Sequence, residues 1–434
     1  MWKFSLMLMF SLLLIGKAMA QQEVLTMQEA IALAVKNNHD LRVARNNTRL
    51  AEMDAGLENS GYLPTLSASG GLSYSDENQN VTFSDGNATS IEGAVTESYN
   101  ASITAEYLIF DGMVRKFTQD SNEANLDLKQ VQERQQVENT IITVYQNFFN
   151  VAFQQQVVQN LKMNIDNSLD RLQRTKKNLK YGQGTYLDEL NAQVDVNNDS
   201  ISYMEAVRDL KNLKRDLNLV LGRGVSAELA MDTSIVFVPK LLEMNIMEEA
   251  ERNNVQMVLA AQNILLSEID IKINKAQFLP KISGSGSYRW NESQNPPTSF
   301  ALNNEAYGVN LGLNLSWNIF DGRNVVRVKK AKITKANREI ELEEIKFQLR
   351  TDVLNAIETY QLSEYKLKAE NKNLETNQLN FKRSQKQYGL GQITAVEFRQ
   401  AQINLFNTLN NQAKAKFDLK IAEVNLFQLM GALL

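Results

Sequence analysis

From Thr65 the chain alternates. Leu66, Ala68, Gly70, Leu72 and Tyr74 fall on one side and Ser67, Ser69, Gly71, Ser73 and Ser75 on the other, the period of two that marks a strand with one apolar and one polar face. A polar, glycine-containing stretch over 76–98 then predicts a surface loop. A second strand follows, with Tyr99, Ala101, Ile103, Ala105, Tyr107 and Ile109 on its apolar side. Both strands recur later in the chain. Ile282, Gly284, Gly286, Tyr288 and Trp290 alternate with polar residues, and beyond a loop holding Pro296 and Pro297 so do Tyr307, Val309, Leu311, Leu313, Leu315, Trp317 and Ile319. Strands of about ten residues have the length that crosses a bilayer. A half-buried sheet in a soluble sandwich alternates in the same way. The small side chains of the polar face, suited to lining water, and the Tyr and Trp residues near the strand ends favour the membrane. Four strands do not close a barrel, so closure requires several chains.

Between the strands the period becomes that of helices. Met113 to Lys180 and Asn324 to Tyr388 contain neither proline nor glycine. A helix through either run would be roughly 100 Å long at ~1.5 Å per residue. Shorter helices are predicted for Asp40 to Leu63, ended by Pro64, for Thr185 to Leu221, for Val255 to Leu279 and for Thr394 to Met430. Matching lengths suggest composite columns, Thr185–Leu221 on Val255–Leu279 and Thr394–Met430 on Asp40–Leu63, beside the two continuous ones. Leu187, Leu190, Val194, Ile201 and Met204 form a narrow stripe suited to coiled-coil contact. The predicted organisation is a signal peptide (1–20), a first structural repeat (21–222), a connecting segment near the equator of the columns (223–243) and a second repeat (244–434).

Composition removes whole classes of function. The sequence has no cysteine, and His39 is its single histidine, placed in a polar turn. Thiolate sites, lipidation at a cysteine, a histidine-based triad and a histidine-rich metal site are therefore excluded, and neither catalysis nor a cofactor is implied. A formal net charge of −4 suits nucleic acid poorly. Lys3, the apolar run from Leu6 to Ile15 and the small-residue end Ala18-Met19-Ala20 read as a signal for export.

Candidate positions lie where strands become helices and where helices turn back. Asp111-Gly112 and Asp321-Gly322 each join a strand to a long helix, the aspartate able to cap the first N–H groups. Tyr181-Gly182-Gln183-Gly184 and Tyr388-Gly389-Leu390-Gly391 end the long helices, with lysine and arginine in the last turns. Thr185 with Asp188, and Thr394 with Glu397, then have capping-box spacing, as do Thr26 and Glu29 near the start. Asp188 and Glu397 are thus either helix caps or, if the tips of several chains meet, acids at a pore constriction.

LTMQEAIALAVKNNHDL, YLP and FLP, the two IFDG turns, YGQGTYLDELNAQ, YGLGQITAVEFRQAQ and the closing LVLG and QLMG together resemble the TolC-like outer-membrane efflux protein family across nearly the whole exported chain. The resemblance implies an α+β membrane protein. It would be a homotrimer whose four strands per chain build a twelve-stranded transmembrane β-barrel, continuous with a long periplasmic α-helical coiled-coil barrel. It also implies an exit duct in the outer membrane that meets a periplasmic adaptor and an inner-membrane transporter, with the tip glycines as docking positions. Ile393, Glu397 and Gln400 stand where TolC carries an arginine and two aspartates, so an identical gate is not implied. A type I protein-secretion duct is the nearest alternative and a trimeric coiled-coil adhesin the distant one.

Overall fold

The computed structural model describes residues 24–232, 234–239, 241–297 and 299–433; the expected signal peptide lies outside them. In chain order the elements are β1 (Val24–Leu25), α1 (Met27–Asn37), α2 (His39–Asp54), β2 (Thr65–Thr82), β3 (Ala88–Phe110), α3 (Val114–Lys180), α4 (Tyr186–Val220), β4 (Ala230–Met231), α5 (Ile246–Asn253), α6 (Val255–Ala276), β5 (Lys281–Gln294), β6 (Asn303–Ser316), α7 (Gly322–Gly389) and α8 (Ala395–Leu429). Helices α3 and α7 run unbroken for 67 and 68 residues. Their contacts divide the chain into two units, each drawing on both repeats.

One unit comprises residues 47–130 and 259–342 and holds the sheet, ordered β2-β3-β5-β6 and antiparallel throughout. The register carries one face across all four strands: Ala68 pairs with Ile103, Ile103 with Tyr288 and Tyr288 with Val309. On the opposite face Ser67, Thr104, Ser287 and Asn310 line up in the same way. The predicted loop over 76–98 is instead mostly strand. β2 and β3 continue to a turn at 83–87, with Asp76 opposite Val95 and Asn80 opposite Ser90. An irregularity between Glu77 and Gln79 frees the Asn78 side chain to accept from the Gly93 N–H at 3.0 Å. Because β5 pairs β3 only from Glu97 to Phe110, this outer ribbon has water on both faces and no apolar side to signal it. Trp317 and Ile319 fall beyond β6.

Helices in this unit follow the strand order. Gln119 and Asn122 on α3 donate to the Ala55 and Asp54 carbonyls at the end of α2, at 2.7 and 2.9 Å. Just before α3, Gly112 meets the end of α6, and α6 is tied to α7 by Lys335 to Glu268 at 3.0 Å. Expected to reach Leu63, α2 stops at Asp54. Gly56 and a 3-10 turn at Leu57–Asn59 end it before Pro64 can act.

The second unit comprises residues 24–46, 131–258 and 343–433 among those described. Its core gathers Phe148, Phe149, Leu217, Leu221 and Phe417 around α1, with Phe149 and Phe417 stacked at 5.3 Å, and a second cluster holds Val353, Tyr360 and Leu426. β1 pairs β4 in parallel, fastening the connecting segment to the start of the chain. The columns pair opposite to expectation: α4 runs head to tail into α2, and α8 into α6. Asn38 and Asn254 make these joints. Asn38 Nδ2 donates to the Val220 carbonyl at 3.0 Å while its Oδ1 accepts from the Asp40 and Leu41 N–H groups. Asn254 likewise donates to the Leu429 carbonyl at 3.0 Å and accepts from the Gln256 N–H. One amide thus satisfies the last carbonyls of one helix and the first N–H groups of the next. Gly222 and Gly431, at φ 64° and 65°, let the backbones approach; a Cβ there would lie 2.6 and 2.3 Å from the Asn37 and Asn253 carbonyl oxygens.

Candidate functional site

Both long helices end in the same hydrogen-bonded turn. After α3, the N–H of Gly182 reaches the Leu179 carbonyl at 3.0 Å and that of Gln183 reaches Asn178 at 2.8 Å. After α7, Gly391 reaches Tyr388 at 3.1 Å and Gln392 reaches Gln387 at 2.9 Å. Each is a Schellman motif with its glycine left-handed, Gly182 at φ 71° and Gly391 at φ 72°. Gly182-Gln183-Gly184-Thr185 therefore corresponds to Gly391-Gln392-Ile393-Thr394. The letter match of YGQG with YGLG is two residues out of register in space.

That shift separates the tip residues predicted from sequence. Gly182 and Gly391 have open space where a side chain would be, whereas Gly184 faces Asn178 Cβ at 3.3 Å. Gly389 lies inside the last turn of α7, where a Cβ would be 3.5 Å from an Arg174 guanidinium nitrogen. Tyr181 is exposed. Tyr388 is sandwiched, stacking on Phe398 at 4.9 Å and 8° while the Arg174 guanidinium lies 5.6 Å from its ring centroid.

Asp188 and Glu397 both close capping boxes. Thr185 donates its N–H to Asp188 at 3.1 Å and accepts the Asp188 N–H at 3.2 Å; for Thr394 and Glu397 the distances are 2.7 and 3.2 Å. These bonds hold both exposed carboxyls below their ordinary range, chiefly through the Thr185 hydroxyl for Asp188 and the Thr394 N–H for Glu397. In a single chain the two acids act as caps.

Within about four turns of the tips lies a charged cluster that pattern reading missed. Arg399 on α8 grips Asp199 on α4 with two nitrogens, at 2.6 and 2.8 Å, and takes Ser168 Oγ of α3 at 3.2 Å. Ser168 donates to Asp199, and buried Arg171 pairs with Asp195. Burial draws the Arg171 guanidinium below its ordinary range, against the pull of Asp195. The four-residue spacing of Asp195 and Asp199 was the available signal, and it reads equally as a solvated helix face.

At the sheet end the two strand-to-helix junctions differ. Buried Asp111 accepts the Arg115 N–H at 2.7 Å, and the Arg115 guanidinium lies 4.8 Å from the Tyr62 ring centroid. Gly112 is left-handed at φ 74°, with a Cβ position only 2.6 Å from the Ala276 carbonyl oxygen. Asp321 accepts the Arg323 N–H at 2.9 Å, and nothing lies near Gly322. Between the junctions the sheet leaves its apolar face bare: Leu66, Leu72, Ile103, Leu311 and Leu313 are all exposed. Among the described residues no helix is long and apolar enough to cross a membrane, and the bare face is the one that the strand alternation predicts for outer-membrane lipid.

Residues 30–223 and 246–432 match the family model described as outer membrane efflux protein. The chain belongs to that family. This efflux protein is 23% identical over 420 residues to the toluene efflux pump outer membrane protein TtgC of Pseudomonas putida, covering 93% of this chain and 82% of that protein. Among solved structures, the Campylobacter jejuni CmeC outer membrane channel superposes with a TM-score of 0.78 at 14% identity, covering 94% and 86% of the two chains. CusC, whose structures bear on transmembrane channel formation, gives 0.75 at 18% identity over 93% and 92%. The four-stranded sheet and long helical hairpins therefore have the fold of these solved channels.

Proposed function

We propose that three copies of this efflux protein close a twelve-stranded barrel in the outer membrane and a twelve-column helical tunnel in the periplasm, forming the exit duct of a tripartite pump for small molecules. One observation carries the reading. The strands at the open edges of the sheet, β2 and β6, follow α2 and precede α7 in the chain, and all four carry exposed apolar residues. On α7 these are Val326, Ile333, Ile340, Phe347 and Leu354, seven residues apart; on α2 they are Val43 and Leu50. A heptad stripe left exposed among the described residues suits a coiled-coil seam with another copy. The name of the toluene efflux pump protein TtgC favours small molecules over secreted proteins as cargo.

The tips are the proposed meeting point with the periplasmic adaptor, which connects the duct to an inner-membrane transporter. The equivalent open glycines Gly182 and Gly391, with exposed Tyr181 and Leu390 before them, offer paired shallow surfaces. The test uses the chain's lack of cysteine. Native mass measurement in detergent should give three copies, and Ser67→Cys or Asn314→Cys should react with water-soluble thiol reagents while Leu311→Cys does not. A stable monomer, or equal labelling of both faces, would overturn the barrel.

A further inference from the structure

The helices joined to the two edge strands of the sheet carry opposite orders of charge. On α7, Lys329 and Lys330 stand three and four residues after Val326, on the face of the exposed stripe, and Lys332 follows them. Glu343 and Glu344 stand three and four residues after Ile340, on that same face. Leaving the sheet, α7 thus passes from base to acid. α2 approaches the sheet from the other direction, with Arg42 and Arg49 first, then Asp54 and, in the 3-10 turn beyond the helix, Glu58. All these side chains are exposed, and none has an ion pair among the described residues.

Heights along the two helices follow from contacts inside the unit that holds the sheet. Asp54 lies beside Asn122, ten residues beyond Gly112; Gly112 abuts Ala276, and Glu268, eight residues before Ala276, holds Lys335. At equal rise per residue Asp54 is about level with Lys335, and Leu50, one turn farther from the sheet, is about level with Ile340. We propose that α2 of one copy lies antiparallel to α7 of the next, Leu50 against Ile340, with Asp54 and Glu58 meeting the three lysines and Arg42 and Arg49 meeting Glu343 and Glu344. This register rests on the trimer proposed above. Closing the barrel joins β6 of one copy to β2 of the next, which brings α7 beside α2, and rotation about the barrel axis leaves every height unchanged. Two copies in one membrane present their α7 helices parallel, so pairing α7 with α7 would set lysine against lysine. Exposed ion pairs are weak one by one. Their combined effect is to set partner, register and assembly rate, while the apolar stripe holds the interface.

Oxidative crosslinking during assembly of the full-length protein in detergent tests this, with Leu50→Cys and Ile340→Cys introduced together into a chain that has no other cysteine. Covalent oligomers up to the trimer are expected, whereas a link inside one chain would leave a monomer. Reversing the lysines (Lys329→Glu, Lys330→Glu, Lys332→Glu) or the acids (Asp54→Lys, Glu58→Lys) should each slow linkage by about tenfold at low salt, and by far less at about 0.5 M salt. Combining both sets should restore the original rate. Where a single reversal fails to fold, the combined variant decides alone, since its rate must match that of the unreversed chain. A protein that stays monomeric before any reversal would overturn the trimer itself. A trimer whose cysteines do not link, reversals without effect, or a loss that the combined variant does not recover, as expected if the lysines instead hold anionic lipid, would overturn the register alone.

Discussion

Helices α3 and α7 are copies of one another in length and in how they end, yet they live in different surroundings. α3 is tied to the end of α2 by Gln119, the turn before it meets the end of α6 at Gly112, and its fully or nearly buried residues include Val144, Phe148, Val151 and Ala152. α7 is tied to its neighbours by Lys335 to Glu268 and Arg350 to Glu251, yet its heptad stripe is bare, with Phe347 69% exposed. The junctions repeat the contrast, Gly112 enclosed and Gly322 open. Duplication thus gave two units of the same plan, but one became the interior of the chain and the other its edge. On the proposed trimer, the difference locates the surface where a second copy would attach.

The largest effect should come from that edge. Ile340→Glu with Phe347→Glu places charges in the seam, where burying an unpaired carboxylate is strongly unfavourable. The outcome expected is loss of the trimer and of export, with the monomer's helix content kept, read by native mass measurement and circular dichroism. A trimer unchanged by the double substitution would mean that α7 is not the edge.

Next comes the contrast between the junction glycines. Gly112→Ala would force a left-handed alanine, costing about 1–2 kcal/mol, and would drive its Cβ into backbone at 2.6 Å, so a total loss of about 3 kcal/mol or more is expected. Gly322→Ala should be neutral or stabilising by up to about 1 kcal/mol, since alanine suits a helix and meets nothing there. Thermal unfolding of the two variants side by side checks this. Equal shifts would erase the distinction between enclosed and open junctions.

How far these features could be read from sequence depends on the range of the cause. The long helices were legible because a run without glycine or proline is local. So were the capping boxes at Thr26, Thr185 and Thr394, whose spacing is fixed by one helical turn, and all three are formed. The outer half of the β2–β3 ribbon was not legible, because strands wetted on both faces need no alternation. The stacking of α4 on α2 and α8 on α6 depends on Asn38 meeting Val220 and Asn254 meeting Leu429, contacts between distant residues. The tip register was hidden by its own motif. Two matching YG pairs drew attention from the left-handed glycines, which stand at equal distance from the threonine caps.

The smallest predicted effect concerns those caps, where the two tips agree. Glu397 accepts from both the N–H and the hydroxyl of Thr394, and its carboxyl is held below the ordinary 4.5. A depressed folded-state value means that the bond's contribution is complete above the unfolded value and is lost as pH falls through the folded one. Glu397→Gln keeps the box, since glutamine also accepts from the cap, but does not titrate. If capping is the whole role, the variant should match the wild type at pH 7 in channel conductance and in melting temperature, and differ only in a weaker acid dependence below about pH 4.5. If three copies of Glu397 face a common axis in the trimer, their charges attract cations, and the variant should lose cation selectivity and block by a trivalent ion in planar-bilayer recordings. Applied to Asp188→Asn as well, the same recording decides whether the two tips are alike in function as they are in backbone geometry.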